Sequence, residues 1–289
     1  MNLRGAKPIT DESVKKFILS LQPIDALYDN SLPSAFIDQF YNWILSSKKN
    51  TLEGLSEFSN KKLTAGSAQA FDHFYLAHKT RRFRFYRGEF MYHAACLKHG
   101  FNWEWLGEEP IKENDALIVS IPFSDTGVQH RQQAIFKYCE ELGCPVLLDF
   151  AYYPCAKNIR LDLSRYPAIE TLTFSISKAF YGAEFLRVGL RLQREDRDDG
   201  IDVFNSVDMH NRLSLRVASQ LISHYSVDYN WDQYDAVYQK VCSEMNLEPT
   251  DCIMFGLGGE EYSQYNRGGH RNRVCISEVI GNRLNQLHS

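Results

Sequence analysis

The sequence reads as an α/β protein: a three-layer αβα arrangement whose mostly parallel mixed sheet is covered by helices on both faces. Three features predict it. Short runs rich in apolar residues, A-L-I-V-S-I-P (116–122), P-V-L-L-D-F (145–150) and T-L-T-F-S-I-S (171–177), read as strands buried on both faces. An amphipathic stretch, V-Q-H-R-Q-Q-A-I-F-K-Y-C-E-E-L (128–142), lies between two of them and supplies the helical crossover that parallel neighbours need. The 289 residues, 44% hydrophobic and 24% charged, are enough to bury a sizeable core and do not have the composition of a disordered chain.

Residues 1–50 read as a helical lead-in. Apolar-periodic stretches around 11–22 and 34–47 are separated by the breaker segment D-N-S-L-P (29–33). From about 61 onward strands alternate with helices, and 51–200 reads as the large domain. R-F-R-F-Y (82–86) alternates as a strand. The helix over 128–142 is stopped by Gly143, and F-L-R-V-G-L-R-L (185–192) closes the strand series with arginines alternating against apolar residues. The polar segment R-E-D-R-D-D-G (194–200) marks a boundary. Beyond it, 203–225 reads as one long helix and 231–246 as a second, F-G-L-G-G-E-E (255–261) as a loop, R-V-C-I-S (273–277) as a strand, and the end as a helix. Residues 201–289 thus read as a reduced small C-terminal domain.

Composition excludes several functions. A formal net charge of −4 gives no electrostatic reason to expect nucleic acid. The basic stretch K-T-R-R-F-R-F-Y-R (79–87) is better explained as a strand with alternating exposed arginines. Seven scattered cysteines without a C-x-x-C pair argue against a disulfide framework and a structural zinc site. His73 and His78, five apart, do not share a helical face, so no metal is expected. M-N-L-R-G-A-K-P lacks the apolar core of a signal peptide and no apolar run approaches ~20 residues, so a cytoplasmic protein with no membrane partner is expected.

Ligands of open α/β sheets bind beyond the carboxyl ends of the strands, and three apolar runs here end in polar groups: Ser120–Thr126, Asp149–Tyr152 and Ser175–Lys178. Lys178 follows a strand directly. Partly desolvated, it would have a lowered pKa and form a Schiff base; otherwise it is a solvated strand-end lysine. Asp149 is either a buried carboxylate that needs a cationic partner or a turn cap. Gly66-Ser67-Ala68 opens an apolar-periodic stretch, as a phosphate-binding helix start or a plain cap. Arg187 is a phosphate ligand or a surface-facing strand residue.

Taken together, T-A-G-S-A-Q-A-F (64–71), P-F-S-D-T-G (122–127), D-F-A-Y (149–152), S-I-S-K (175–178), R-V-G (187–189) and R-V-C-I-S (273–277) stand in the order and approximate spacing of one family. The chain resembles the pyridoxal-phosphate-dependent enzymes of fold type I, and more narrowly the class I/II aminotransferase superfamily. The resemblance implies a mostly parallel mixed sheet, pyridoxal 5'-phosphate as cofactor, an amino acid or amine as substrate, and a homodimer. It implies that Lys178 carries the cofactor as an internal aldimine and moves a proton. Asp149 would pair with the protonated pyridine nitrogen, and Tyr152 would hydrogen-bond the ring oxygen. Gly66, Ser67, Ala68, Ser175 and Arg187 would hold the phosphate. Phe90 would stack on the ring, with Tyr86 and Tyr92 as rivals. Arg273 would clamp the substrate carboxylate, with Arg271 close enough to compete.

Three departures from the family pattern are visible. Ser124-Asp125-Thr126-Gly127 stands where the family has N-P-T-G, so Ser124 replaces the asparagine at the ring oxygen; the segment from Lys178 to Arg187 is one residue longer; and the chain is short. The activity the resemblance implies is aminotransfer between an amino acid and a keto acid. Decarboxylation, elimination, cyclisation or condensation on the same cofactor is the alternative, and a catalytically silent binding subunit is a second. S-I-S-K also matches the S-x-x-K of serine acyl-transferring enzymes, but that motif opens a helix, its companion motifs are absent, and this copy ends a strand run. No G-x-G-x-x-G follows an early strand, which removes the nicotinamide-binding reading.

Overall fold

The structure, a computed structural model, describes residues 3–129 and 132–287. Two helices lead in. Asp11 caps α1 (Glu12–Ser20) by accepting from the amides of Ser13 and Val14. The second, α2 (Leu32–Leu45), starts inside the breaker segment, because Pro33 in the first turn removes only an N–H that has no intrahelical partner. Then follow β1 (Thr51–Glu53), β2 (Asn60–Thr64), α3 (Ser67–Ala77), β3 (Arg82–Phe85), α4 (Tyr92–Leu97), β4 (Trp103–Trp105), β5 (Asp115–Ser120), α5 (Gln133–Leu142), β6 (Val146–Phe150), β7 (Arg160–Asp162), β8 (Ile169–Ser175) and β9 (Gly189–Gln193).

Seven of these strands form one sheet in the order β2-β9-β8-β6-β5-β3-β4, while β1 and β7 pair separately. β9 runs antiparallel to both its neighbours and the other contacts are parallel, so the sheet is mixed and mostly parallel. Strand periodicity then sorts the core. Leu117, Val119, Val146, Leu148, Leu172, Phe174, Leu190 and Leu192 belong to the same buried cluster as Phe36 and Phe40 of α2 and Phe136 of α5. The alternate residues Ala116, Ile118 and Leu147 belong to the cluster of Phe71 and Phe74 of α3 and Leu97 before the β4 strand. Helices therefore cover both faces, as the strand runs separated by a helical crossover predict.

The remainder comprises α6 (Gly200–Ser206), α7 (Arg212–His224), α8 (Tyr229–Glu244), the antiparallel ribbon β10 (Glu248–Pro249), β11 (Phe255–Gly258) and β12 (Asn272–Cys275), and α9 (Ser277–Leu287). A separate buried cluster that includes Trp231, Tyr238, Phe255, Ile276 and Ile280 holds this part together and takes in Tyr152 and Ile9 from elsewhere in the chain.

Several sequence expectations are corrected. The single helix over 203–225 is two, because Asp208 turns left-handed (φ 51°) and Asn211 caps a new helix by accepting from the Ser214 amide. The strand expected from 185 begins only at Gly189, and Arg187 precedes it with φ 54° rather than lying within it. Residues 255–258 of the glycine-rich stretch are strand, not loop. The arginines of the 79–87 stretch are not uniformly exposed. Arg84 is fully buried, bonded to Asp115 (2.7 Å) and to the carbonyls of Pro110, Trp105 and Glu109. α5 begins at Gln133, and positions 130 and 131 of the expected helix lie outside the described residues. Among the described residues no helix is long and apolar enough to cross a membrane.

Candidate functional site

Parallel pairing brings the carboxyl ends of β5, β6 and β8 to one edge, with Ser120 opposite Asp149 and Asp149 opposite Thr173. Because β9 runs backward, its first residue Gly189 lies between Ser175 and Thr64, the last residues of β8 and β2. The start of α3 is thereby delivered to the same edge. Gly66 has φ +79°, and a Cβ there would come within 2.6 Å of Arg187 Nη2. Arg187, exposed, donates to the Ala65 carbonyl at 3.3 Å. The Ser175 hydroxyl accepts from the Ser177 amide (3.1 Å) and lies 2.9 Å from the Ser177 hydroxyl. The Ser67 hydroxyl is buried beside the Asp149 carboxyl, which it helps to hold down, and Ala68 is half-buried in the same first turn. Free amides at a helix start, hydroxyls and a guanidinium make an anion-binding cradle.

The next group is electrostatically unbalanced. Asp149 is buried and accepts from the Ala151 amide at 2.9 Å, but forms no ion pair among the described residues. Burial pushes its carboxyl up to about 7, against the pull of that amide and of the Lys178 charge. Lys178, half-buried, donates from Nζ to the Ala6 carbonyl at 2.5 Å, and burial holds its pKa below the usual 10.5. A desolvated lysine and a buried acid that forms no ion pair among the described residues thus stand at neighbouring strand ends.

The third group joins distant segments. Ser124 is buried, and its carbonyl accepts from Arg273 Nη1 and from Arg267 Nη1 (2.9 Å), which also reaches Ser124 Oγ (3.1 Å). Tyr152 lies beside them, its phenol raised by burial and pulled back by the Arg273 charge, with its ring edge-to-face on Phe255. The Arg273 guanidinium stacks over Phe255, 4.1 Å from the ring centre. Glu89, fully buried, accepts from the amide (2.9 Å) and hydroxyl of Ser120, and burial raises it to about 7.

The structure therefore gathers Gly66, Ser67, Ser175 and Arg187 in one place, sets Asp149 and Lys178 beside them, and joins Ser124, Tyr152 and Arg273. It separates the two candidate arginines. Arg273 is buried at the site, whereas Arg271 is exposed and paired with Glu248. Phe90 is exposed and stacks on Tyr92 (centroids 5.8 Å apart, 14° between planes). Glu89 and Arg267, and the carbonyls of Gly5 and Ala6, were not singled out from sequence. Glu89 follows β3 in the way the other polar groups follow their strands, so the same rule finds it. Arg267 sits in a polar glycine-rich loop with no distinguishing pattern.

No family model matches the chain, and no curated protein matches it in sequence. Solved structures do match in fold. The PLP-bound C-S lyase from Staphylococcus hominis superposes with a TM-score of 0.66 at 12% identity, covering 99% of this chain and 89% of that one. The aromatic aminotransferase from Pyrococcus horikoshii gives 0.65 at 15%, covering 98% and 92%. The L-threonine-O-3-phosphate decarboxylase from Porphyromonas gingivalis gives 0.61 at 14%, covering 100% of both. The chain has the fold type I architecture these proteins share.

Proposed function

We propose that this chain is a pyridoxal-phosphate-dependent enzyme, most specifically an aminotransferase acting on an amino acid and a keto acid. Asp149 carries the reading. A buried carboxyl without a cation is costly to ionise, and a protonated pyridine nitrogen set against it relieves that cost. The rest of the site fits the same group. The Ser67 hydroxyl stands beside the Asp149 carboxyl at the helix start, Gly66 takes a left-handed φ with the Arg187 guanidinium against it, and Lys178 is desolvated. A catalytically silent subunit would have no chemical use for these features together.

Bound there, pyridoxal 5'-phosphate supplies an electrophilic carbonyl carbon and an electron-accepting ring. The amides of Gly66, Ser67 and Ala68, with Ser175 and Arg187, hold its phosphate. Asp149 would pair with a protonated ring nitrogen, Ser124 and Tyr152 would hydrogen-bond the ring oxygen, and Phe90 would stack on the ring. Arg273 binds and orients the substrate carboxylate through paired N–H donors. Lys178 Nζ would take and hold the proton at the substrate Cα. On this reading 51–200 holds the cofactor, 201–289 shapes the substrate side, and the protein works as a cytoplasmic homodimer. Decarboxylation or elimination is the second reading. It rests on Ser124, where a short hydroxyl held by Arg267 replaces an amide at the ring oxygen.

Adding the cofactor to purified protein should give a visible absorption band that borohydride bleaches, and Lys178→Ala should lack it. A band that persists in Lys178→Ala removes the assignment. Amino acids should then convert the band to that of the pyridoxamine form. Release of carbon dioxide or ammonia without that conversion favours the second reading.

A further inference from the structure

Residues 3–9 cross the site as a strap with neither helix nor strand structure. It is anchored at both ends. The Leu3 carbonyl accepts from the Cys275 amide (3.0 Å), Lys7 pairs with Glu278 (2.8 Å), and Ile9 is buried in the C-terminal cluster. Between the anchors two successive carbonyls turn onto the reactive groups. Gly5 O accepts from Arg273 Nη2 at 2.6 Å and Ala6 O from Lys178 Nζ at 2.5 Å.

We propose that the Gly5–Ala6 strap is an autoinhibitory contact, a stretch of main chain that stands in for the ligand and is displaced by a substrate carboxylate. The inference rests on the proposed function for the roles of Lys178 and Arg273, but its geometry stands alone. Side-on carboxylate recognition by arginine uses Nε and Nη2 together. In Arg273 the Gly5 carbonyl takes Nη2 only, while Nε is buried without a partner among the described residues. A single carbonyl oxygen half-fills an edge built for two. A carboxylate on that edge satisfies both donors and relieves a buried orphan, so it binds the withdrawn state better than the strapped one, as displacement requires. Withdrawal also takes the Ala6 carbonyl from Lys178. That carbonyl bonds the ammonium form and so favours the unreactive state of a nucleophilic amine.

The test uses the whole chain without added cofactor, propionate as carboxylate probe and chloride at matched ionic strength as control. Amide hydrogen exchange of residues 5–9 should speed up several-fold in propionate and stay unchanged in chloride, while the central strands keep their protection. Ile9→Ala and Lys7→Ala loosen the anchors without touching the site. In Ile9→Ala, acylation of Lys178 by acetic anhydride, read by mass spectrometry, should rise about tenfold. Equal strap exchange in propionate and chloride overturns the proposal. So does wild-type acylation of Lys178 in an Ile9→Ala protein whose strap exchanges faster. Absence of the visible cofactor band would sink the functional reading and leave these two measurements standing, so the two failures are separable.

Discussion

At the scale of single residues, the carboxyl of Asp149 ties stability to cofactor occupancy. Its ordinary value of 3.8 rises to about 7 in the fold, so the folded chain binds a proton that the unfolded chain has released between those pH values. Stability contributed by this group therefore falls as pH rises through that window, the reverse of a salt-bridged aspartate. Roughly three pH units at about 1.4 kcal/mol each bounds the loss at about 4 kcal/mol. Glu89, raised to about 7 by the same burial, adds to the slope. Denaturant titrations of the cofactor-free protein should show stability dropping from pH 5 to 8. Asp149→Asn should flatten part of that drop and Asp149→Asn with Glu89→Gln most of it. Cofactor should abolish the Asp149 share in the wild type, because an ionised Asp149 then faces a cation. An identical slope in Asp149→Asn would show that the carboxyl is not desolvated as described.

Among the secondary-structure elements, the loops after β3 and β5 act as one piece through Arg267, which donates to the carbonyls of Glu89 (2.9 Å) and Ser124 (2.9 Å). Arg267→Ala leaves the Glu89 carbonyl without this donor, while the Ser124 carbonyl keeps Arg273, and should cost about 1–3 kcal/mol. Arg267→Lys should recover little, since a single ammonium cannot span both loops as a planar fork does. Thermal unfolding of the two variants checks this, and full rescue by lysine would count against the fork. The elements differ in how far the sequence revealed them. β5, β6 and β8 were legible because they are buried almost throughout and rich in apolar residues. β2 (N-K-K-L-T) and β4 (W-E-W) sit at the two edges of the sheet, where polar residues are tolerated and runs are short, and were not found. Lys178, Asp149 and Ser67 were legible because strand and helix ends place them. Gly5 and Ala6 reach the site through main-chain carbonyls, which leave no trace in residue identity.

For the whole molecule, the misread helix over 203–225 has a physical cause that bears on assembly. Val203, Phe204, Val207 and Met209 give that stretch its apolar character, yet all four are exposed. So are Ile24, Leu27 and Tyr28 of the lead-in. Arg212 at the start of α7 donates to the Leu27 carbonyl (3.1 Å) and to Asn30 (2.8 Å), which ties the lead-in to α7. Exposed large apolar side chains in such numbers are the kind of surface that partners cover. Two copies meeting through the same patch would cover it symmetrically, the commonest arrangement for homo-oligomers. Sedimentation equilibrium should therefore give a mass near twice the 33.4 kDa chain. Met209→Lys combined with Tyr28→Asp should shift the equilibrium toward the single chain by at least tenfold, since a charge buried in an apolar interface costs more than about 1.4 kcal/mol. The visible band should survive in that variant, because none of the residues assigned to hold the cofactor lies in the patch. A wild-type chain that sediments at 33.4 kDa at micromolar concentration, with cofactor bound, would refute the dimer and leave the exposed patch to another partner.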